Sequence, residues 1–251
     1  MSYHDRKKEL LSVIEKSEYI SVNDLLEKQY TSISTLRRDL IRLEERGLVI
    51  RTHGGVMAVK KSPDDKIPFL LRVDEHADEK KAIAQRAAGF VHDGDTIMLD
   101  ASTSAYCVIP YLYENFKDII VITNGAKASF LLGELGVKNI CTGGRMINKS
   151  FSYVGRISEK TVEQYNADIV FFSCRGISEN GYLTDNSIEE NDLRRVMMRQ
   201  SRQKILLCNS EKFGNTCLDN LCHISEIDDV VCETEIPQNI SELMKNSRRD
   251  F

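Results

Sequence analysis

Three runs of apolar residues at helical spacing open the chain. Leu10, Val13 and Ile14 predict a first helix over about residues 6–16. Ser21-Val22-Asn23-Asp24 places a carboxylate three residues after a hydroxyl, the pattern of a capping box, and starts a short helix holding Leu25 and Leu26. Ser32 is placed to cap a third helix whose Ile33, Leu36, Leu40 and Leu43 fall on one stripe. Arg46-Gly47 supplies a cation for its last turn and a glycine to end it. The β-branched run from Leu48 to Val56, broken by Gly54-Gly55, predicts a two-stranded ribbon. Three helices followed by a ribbon make a winged helix-turn-helix.

The pattern then changes. Lys60-Lys61-Ser62-Pro63-Asp64-Asp65-Lys66 is charged and interrupted by proline, as in a linker. The expected division is a winged helix-turn-helix domain over 1–57, a linker over 58–71 and a larger domain over 72–251. Beyond the linker, a helix over 79–90 turns Ile83, Ala84, Ala87 and Ala88 inward. Strand-sized β-rich runs recur at 96–99, 119–123, 139–141, 168–173, 204–208 and 229–232. Stretches of helical length, such as 105–112, 126–135 and 189–202, lie between them. Strands alternating with helices predict an α/β domain with a largely parallel sheet.

Composition narrows the function classes. No apolar run approaches the ~18 residues that span a bilayer, and no apolar signal region follows Met1, so a cytoplasmic protein without a membrane partner is expected. The seven cysteines are odd in number and form no CxxC pair, which fits reduced thiols filling small apolar spaces. No metal site or cofactor is expected from them. Net charge is −4, but residues 1–60 carry eleven Lys and Arg against nine Asp and Glu, leaving −6 for the rest. A basic segment on an acidic body is compatible with a small DNA-reading module.

On the third helix, Ser34, Thr35, Arg38 and Arg42 lie opposite the apolar stripe, with Arg37 at its flank. Hydroxyls and arginines suit the major groove, where arginine engages guanine with two hydrogen bonds. Ser32-Ile33-Ser34-Thr35-Leu36-Arg37-Arg38-Asp39-Leu40, Leu43-Glu44, Gly47-Leu48 and Arg51-Thr52-His53-Gly54-Gly55 resemble the DNA-binding signature of the DeoR family of bacterial transcription regulators. The likeness covers nearly all of residues 5–57. It implies that this is the recognition helix, with Ser32, Ser34, Thr35, Arg37, Arg38 and Arg42 toward double-stranded operator DNA and Arg51 and His53 on the wing.

In parallel sheets ligands collect beyond the carboxyl ends of the strands. Three loops expected there carry chemistry. Asp100-Ala101-Ser102-Thr103-Ser104 presents consecutive hydroxyls at a helix start, either a phosphate cradle or an ordinary cap. Thr142-Gly143-Gly144-Arg145 allows close backbone approach beside a cation, and Lys212 follows another strand. Together with Asn124, Val154-Gly155, Glu190 and Arg194, these pieces resemble the effector domain of the same family over about 72–233. That domain is similar to ribose phosphate isomerase and its relatives, and implies a phosphorylated sugar effector. The implied effector residues are Asp100, Ser102, Thr103, Ser104, Asn124, Gly143, Gly144, Arg145, Glu190, Arg194 and Lys212. Backbone N–H groups and Lys212 would hold phosphate, and Asp100 would accept hydrogen bonds from sugar hydroxyls. Ala101-Ser102-Thr103-Ser104 departs from the family's usual Gly-Thr-Thr, Asn209 stands where aspartate is common, and Arg194 where lysine is common.

A sugar-phosphate isomerase with an added DNA-binding domain is the competing reading. Such an enzyme needs a carboxylate base beside the sugar carbon, and 172–177 offers none before Glu179. The expectation is therefore a DNA-binding regulator without catalytic residues, a repressor of a sugar operon released by a phosphorylated sugar. Control through a protein partner is the further alternative. One winged helix covers a half-site, so a homo-oligomer, dimer or tetramer, is expected.

Overall fold

In the computed structural model of this chain, the opening helices are Tyr3–Glu15, Val22–Gln29 and Ile33–Glu45. The residues described are 3–15, 17, 19–29, 32–45, 48–52, 54–58 and 69–247. Contacts divide the chain into two units, Met1–Asp74 and Glu75–Phe251. The Ser21 hydroxyl accepts the Asp24 N–H at 3.1 Å and donates to the Asp24 carboxylate at 2.7 Å, which starts the second helix where the sequence predicts. Strand Gly55–Ala58 lies between Ile20–Ser21 and Val49–Thr52, antiparallel to both. Leu10, Ile14, Leu25, Leu36, Leu40, Leu43, Val49 and Val56 close the core of this winged helix-turn-helix. Ile33 departs from the expected stripe: at the first position of its helix it overhangs the core and is 45% exposed. The helix-ending pair Arg46-Gly47 and the charged run 60–66 lie outside the described residues.

The second unit opens with helix Ala77–Ala87, two residues earlier than expected. The preceding helix, Phe69–Asp74, begins inside the stretch read as linker. Six parallel strands form the main sheet: Thr96–Leu99, Ile120–Thr123, Lys138–Cys141, Ala167–Phe172, Ser201–Leu207 and Asp229–Val231. Counted in chain order, they stand 3-2-1-4-5-6 across the sheet. The chain thus winds outward in one direction, returns to the middle and winds outward in the other.

Both faces of the sheet are covered. Ile97, Leu99, Val121, Phe171, Ile205 and Leu207 pack on Ile83, Ala87, Ile109, Leu112 and Leu132 of the helices on one side. Met98, Ile122, Val170, Phe172 and Leu206 pack on Val162, Leu193 and Met197 on the other. Burial on two faces explains why these strands read as continuous apolar runs. The helix expected over 105–112 is two pieces, Thr103–Tyr106 and Ile109–Asn115, with Pro110 in the first turn of the second, where its missing N–H costs nothing. Two features were not foreseen. One is the hairpin Arg145–Ile147 with Ser152–Val154; the other is a small antiparallel sheet of Gly176–Ile177, Tyr182–Asp185 and Asp219–His223. Among the described residues no helix is long and apolar enough to cross a membrane.

Candidate functional site

The third helix presents its polar face as the sequence implies. The Ser32 hydroxyl accepts the Thr35 N–H at 3.3 Å and lies 3.0 Å from the Ser34 hydroxyl and 2.9 Å from that of Thr35, so the cap and the hydroxyl face are one cluster. Arg37, Arg38 and Arg42 are exposed. Arg37 and Arg38 make no ion pair with a described residue, so their charge is available to phosphates or bases. The opposite face is anchored by buried Asp39, paired with Arg6 at 3.0 Å. Arg51 on the ribbon bonds to Glu44 through its N–H and its guanidinium, at 3.3 and 3.2 Å, tying the wing to the helix. His53, also expected on the wing, lies outside the described residues. Exposed Ile33, between Ser32 and Ser34, is a surface residue that the periodicity hid by counting it as core.

In the sheet of the second unit, the winding reverses between the first and fourth strands, Thr96–Leu99 and Ala167–Phe172. Loops leaving adjacent strands at such a point diverge to opposite sides and leave a crevice. Here they are Asp100–Ser104 and the segment beginning at Ser173. Asp100 is 1% exposed, and its carboxylate is fully engaged. It accepts the Ser102 N–H at 3.0 Å, the Ser173 N–H at 3.3 Å and Arg194 Nε at 2.8 Å. Asp100 therefore does not offer the free acceptor expected for sugar hydroxyls; it shapes the loop from beneath.

Arg194 reaches two further acceptors, Asp185 at 3.0 Å and the Asn191 side-chain Oδ1 at 2.8 Å. Burial by itself lowers the pKa of this guanidinium, but Asp185, Asp100 and Glu190 raise it, and the net shift is upward. The buried cluster thus holds a permanent cation between carboxylates. Glu190 accepts the Ser152 hydroxyl at 2.6 Å, linking the helix Ile188–Arg199 to the hairpin after Gly144.

Ser102 caps the helix that follows by accepting the Ala105 N–H at 3.1 Å. The next two hydroxyls differ: Thr103 and Ser104 are 5% and 3% exposed, yet neither hydroxyl bonds to a described residue. Lys212 donates to the Ser173 hydroxyl at 2.6 Å, and that hydroxyl donates to the Leu207 carbonyl at 2.5 Å. Ser173, absent from the residues singled out in the sequence, is the hinge that brings Lys212 to the Asp100 loop. Asn209, noted in the sequence only as a departure from aspartate, is 8% exposed and its side chain makes no hydrogen bond with a described residue. Two serine- or asparagine-containing strand ends were the available signal.

Asn124 follows the neighbouring strand. Its amide donates to the Tyr153 carbonyl at 3.0 Å, while its buried Oδ1 has no partner among the described residues. Gly143 and Gly144 take φ of +63° and +109°, conformations that favour glycine, and a Cβ on Gly144 would fall 2.9 Å from the Val154 carbonyl. Arg145 is exposed and pairs with Glu189. No hydrogen bond joins the Gly143-Gly144 turn or Arg145 to the Asp100 loop among the described residues. Burial pushes the Cys174 thiol up to about 11 even with Lys212 and Arg194 lowering it, so it is no nucleophile at neutral pH. Among the described residues no group of His, Cys, Asp or Glu is arranged to hold a metal.

Comparison with known proteins adds an independent line. Residues 6–62 match the DeoR-like helix-turn-helix domain, and residues 75–234 match the DeoR C-terminal sensor domain. An uncharacterised HTH-type transcriptional regulator of Bacillus subtilis, YulB, is 33% identical over 90% of this chain and 86% of its own. The L-fucose operon activator of Haemophilus influenzae is 31% identical over 96% and 95%. The glycerol-3-phosphate regulon repressor of Escherichia coli is 26% identical over 97% and 96%. Among solved structures, ribose 5-phosphate isomerase A of Methanocaldococcus jannaschii overlaps 55% of each chain with a TM-score of 0.42 and 17% identity. With both family domains matched in order and relatives above 30% identity along nearly its whole length, the chain belongs to the DeoR family of DNA-binding transcriptional regulators.

Proposed function

We propose that this regulator is a repressor whose sensor domain binds a phosphorylated sugar in the crevice between Asp100–Ser104 and Ser173, and that binding releases it from its operator. The observation that carries the reading is the pair of hydroxyls of Thr103 and Ser104, which make no hydrogen bond with a described residue and sit on the loop that Asp100 and Ser173 link to the ammonium of Lys212. At the end of the neighbouring strand the buried Asn124 Oδ1 has no partner among the described residues, whereas buried polar groups are ordinarily satisfied. Two idle hydroxyls with a cation at hand, at a topological switch point, are what a phosphate group would complete. The phosphate would take Lys212 and the backbone N–H groups of the loop, and the hydroxylated end would meet Asn124 and Asn209.

Supporting the ligand class, two relatives are named for the L-fucose operon and the glycerol-3-phosphate regulon. Supporting sensing rather than turnover, the carboxylates of Asp100 and Asp185 are both held by Arg194, so neither is free to serve as base. On the DNA side, Ser34, Thr35, Arg37 and Arg38 would read the major groove, with Arg42 and Arg51 toward the backbone and Ile33 against a thymine methyl. The test is calorimetric titration of the full chain with a panel of sugar phosphates and the matching free sugars. Saturable binding of a phosphorylated member, lost in Thr103→Val/Ser104→Ala, supports the reading. Binding of the free sugar with equal affinity, or binding unchanged in that variant, overturns it.

A further inference from the structure

The proposed crevice makes no use of three thiols that lie beside it. Cys174, Cys208 and Cys232 follow neighbouring strands, and the pairings Phe172 with Leu206 and Leu207 with Val231 bring them level at the strand ends. All three pack in the apolar cluster on one face of the sheet. Cys208 N–H donates to the Val231 carbonyl at 3.1 Å, and the Cys232 thiol bonds to the Glu233 carboxylate at 3.2 Å and lies 3.7 Å from the Thr234 hydroxyl. Adjacent strands run about 4.8 Å apart, within the ~4.4–6.8 Å Cα separation that a disulfide spans.

The thiols differ in chemistry. The neighbouring Cys208 thiol brings Cys232 down to about 7 against the effect of burial, with Thr234 also lowering it and Glu233 raising it. Cys208 moves up, by the neighbouring Cys232 thiol and by burial. Cys174 stands at about 11. Cys232 is therefore the more acidic thiol of the pair and the one that supplies thiolate near neutral pH, with Cys208 the protonated neighbour. Cys232 also follows the three-residue edge strand Asp229–Val231, where local opening admits a small oxidant most readily.

We propose that Cys208 and Cys232 are a reversible dithiol–disulfide pair oxidised by hydrogen peroxide. The Cys232 thiolate attacks one peroxide oxygen, the O–O bond breaks, and hydroxide leaves and takes up a proton, giving a sulfenic acid. The Cys208 sulfur then attacks the Cys232 sulfur, forms the S–S bond and expels the sulfenic oxygen as water with the Cys208 proton. Two thiols lose two electrons to one peroxide, which ends as two waters. Cys232 directly precedes Glu233 and Cys208 lies two residues before Ser210, and the Ser210 N–H donates to the Glu233 carboxylate at 2.9 and 3.2 Å, anchoring the loop of Lys212.

The test treats the full chain with graded hydrogen peroxide, blocks residual thiols with iodoacetamide under denaturing conditions and maps peptides by mass spectrometry. The expected result is a Cys208–Cys232 linked peptide, two fewer alkylated thiols, and full reversal by dithiothreitol. Cys208→Ala should stop at the sulfenic acid, trapped on Cys232 by dimedone, and Cys174→Ser should leave the linked peptide unchanged. Two outcomes overturn the proposal, and both are read on the parent protein whatever the variants do. Either both thiols stay alkylatable at a dose that fully oxidises glutathione in the same tube, or Cys232 links to a different cysteine.

Discussion

Replacing Arg194 with methionine removes the cation from a buried cluster and leaves its acceptors behind. The guanidinium makes three hydrogen bonds of 2.8–3.0 Å, two of them to the carboxylates of Asp100 and Asp185. Both carboxylates are buried, so neither recovers its hydration when the partner goes. Breaking a buried pair in this way costs about 3–5 kcal/mol. In a unit of this size, roughly 2–4 °C of melting temperature is lost per kcal/mol, so the sensor unit should melt about 6–20 °C lower. Lysine at the same position keeps the charge but not the fork that serves both carboxylates, and should cost about 1–3 kcal/mol. Scanning calorimetry of the full chain would follow the sensor-unit transition, and an Asp100→Asn/Arg194→Met cycle would isolate the pair. A transition within about 1 °C of the parent for Arg194→Met, or additive single effects in the cycle, would refute the claim that this cluster organises the Asp100 loop.

Other expectations follow from the same geometry. Arg38→Ala should weaken operator binding by roughly 1–3 kcal/mol without lowering the melting temperature. Loss confined to one base position marks a base contact, whereas a uniform loss with a salt slope smaller by about 1 marks a phosphate contact. Gly144→Ala, which forces a side chain into a φ of +109° against the Val154 carbonyl, should destabilise the sensor unit by about 1–3 kcal/mol on thermal unfolding. Sedimentation at working concentration should find a dimer or larger, since one winged helix fills only a half-site. A monomer that binds a half-site as tightly as a full operator would contradict this.

The parts of the structure that were readable in the sequence are those where local pattern and burial coincide. Leu36, Leu40 and Leu43 are core because a 3.6-residue period meets a single buried face, and the six strands of the main sheet declare themselves because both of their faces are covered. Ile33 misled because periodicity carries no information about where a helix overhangs its core. The small antiparallel sheet stayed hidden since its strands are two to five residues long and mix polar with apolar positions. At the candidate site, the hydroxyl loop, Arg194 and Lys212 were legible as residue types. Their wiring was not: that Asp100 is consumed by Arg194, and that Ser173 connects Lys212 to the loop, depends on contacts spanning 73 to 94 residues for Asp100 and 39 for Lys212. No local spacing encodes such partners.

The most direct test of the central claim is release of the operator complex, titrated with a phosphorylated sugar and with the same sugar unphosphorylated, for the parent protein and for Lys212→Ala. A coupling of roughly 1–3 kcal/mol would lower operator affinity by about 5–150-fold at saturation. The phosphorylated sugar should release DNA and the free sugar should not. Lys212→Ala should bind the operator as the parent does but need a much higher effector concentration for release. Equal action of the two sugars, or a parental response in the variant, would contradict a phosphate-reading crevice at Asp100–Ser104 and Ser173.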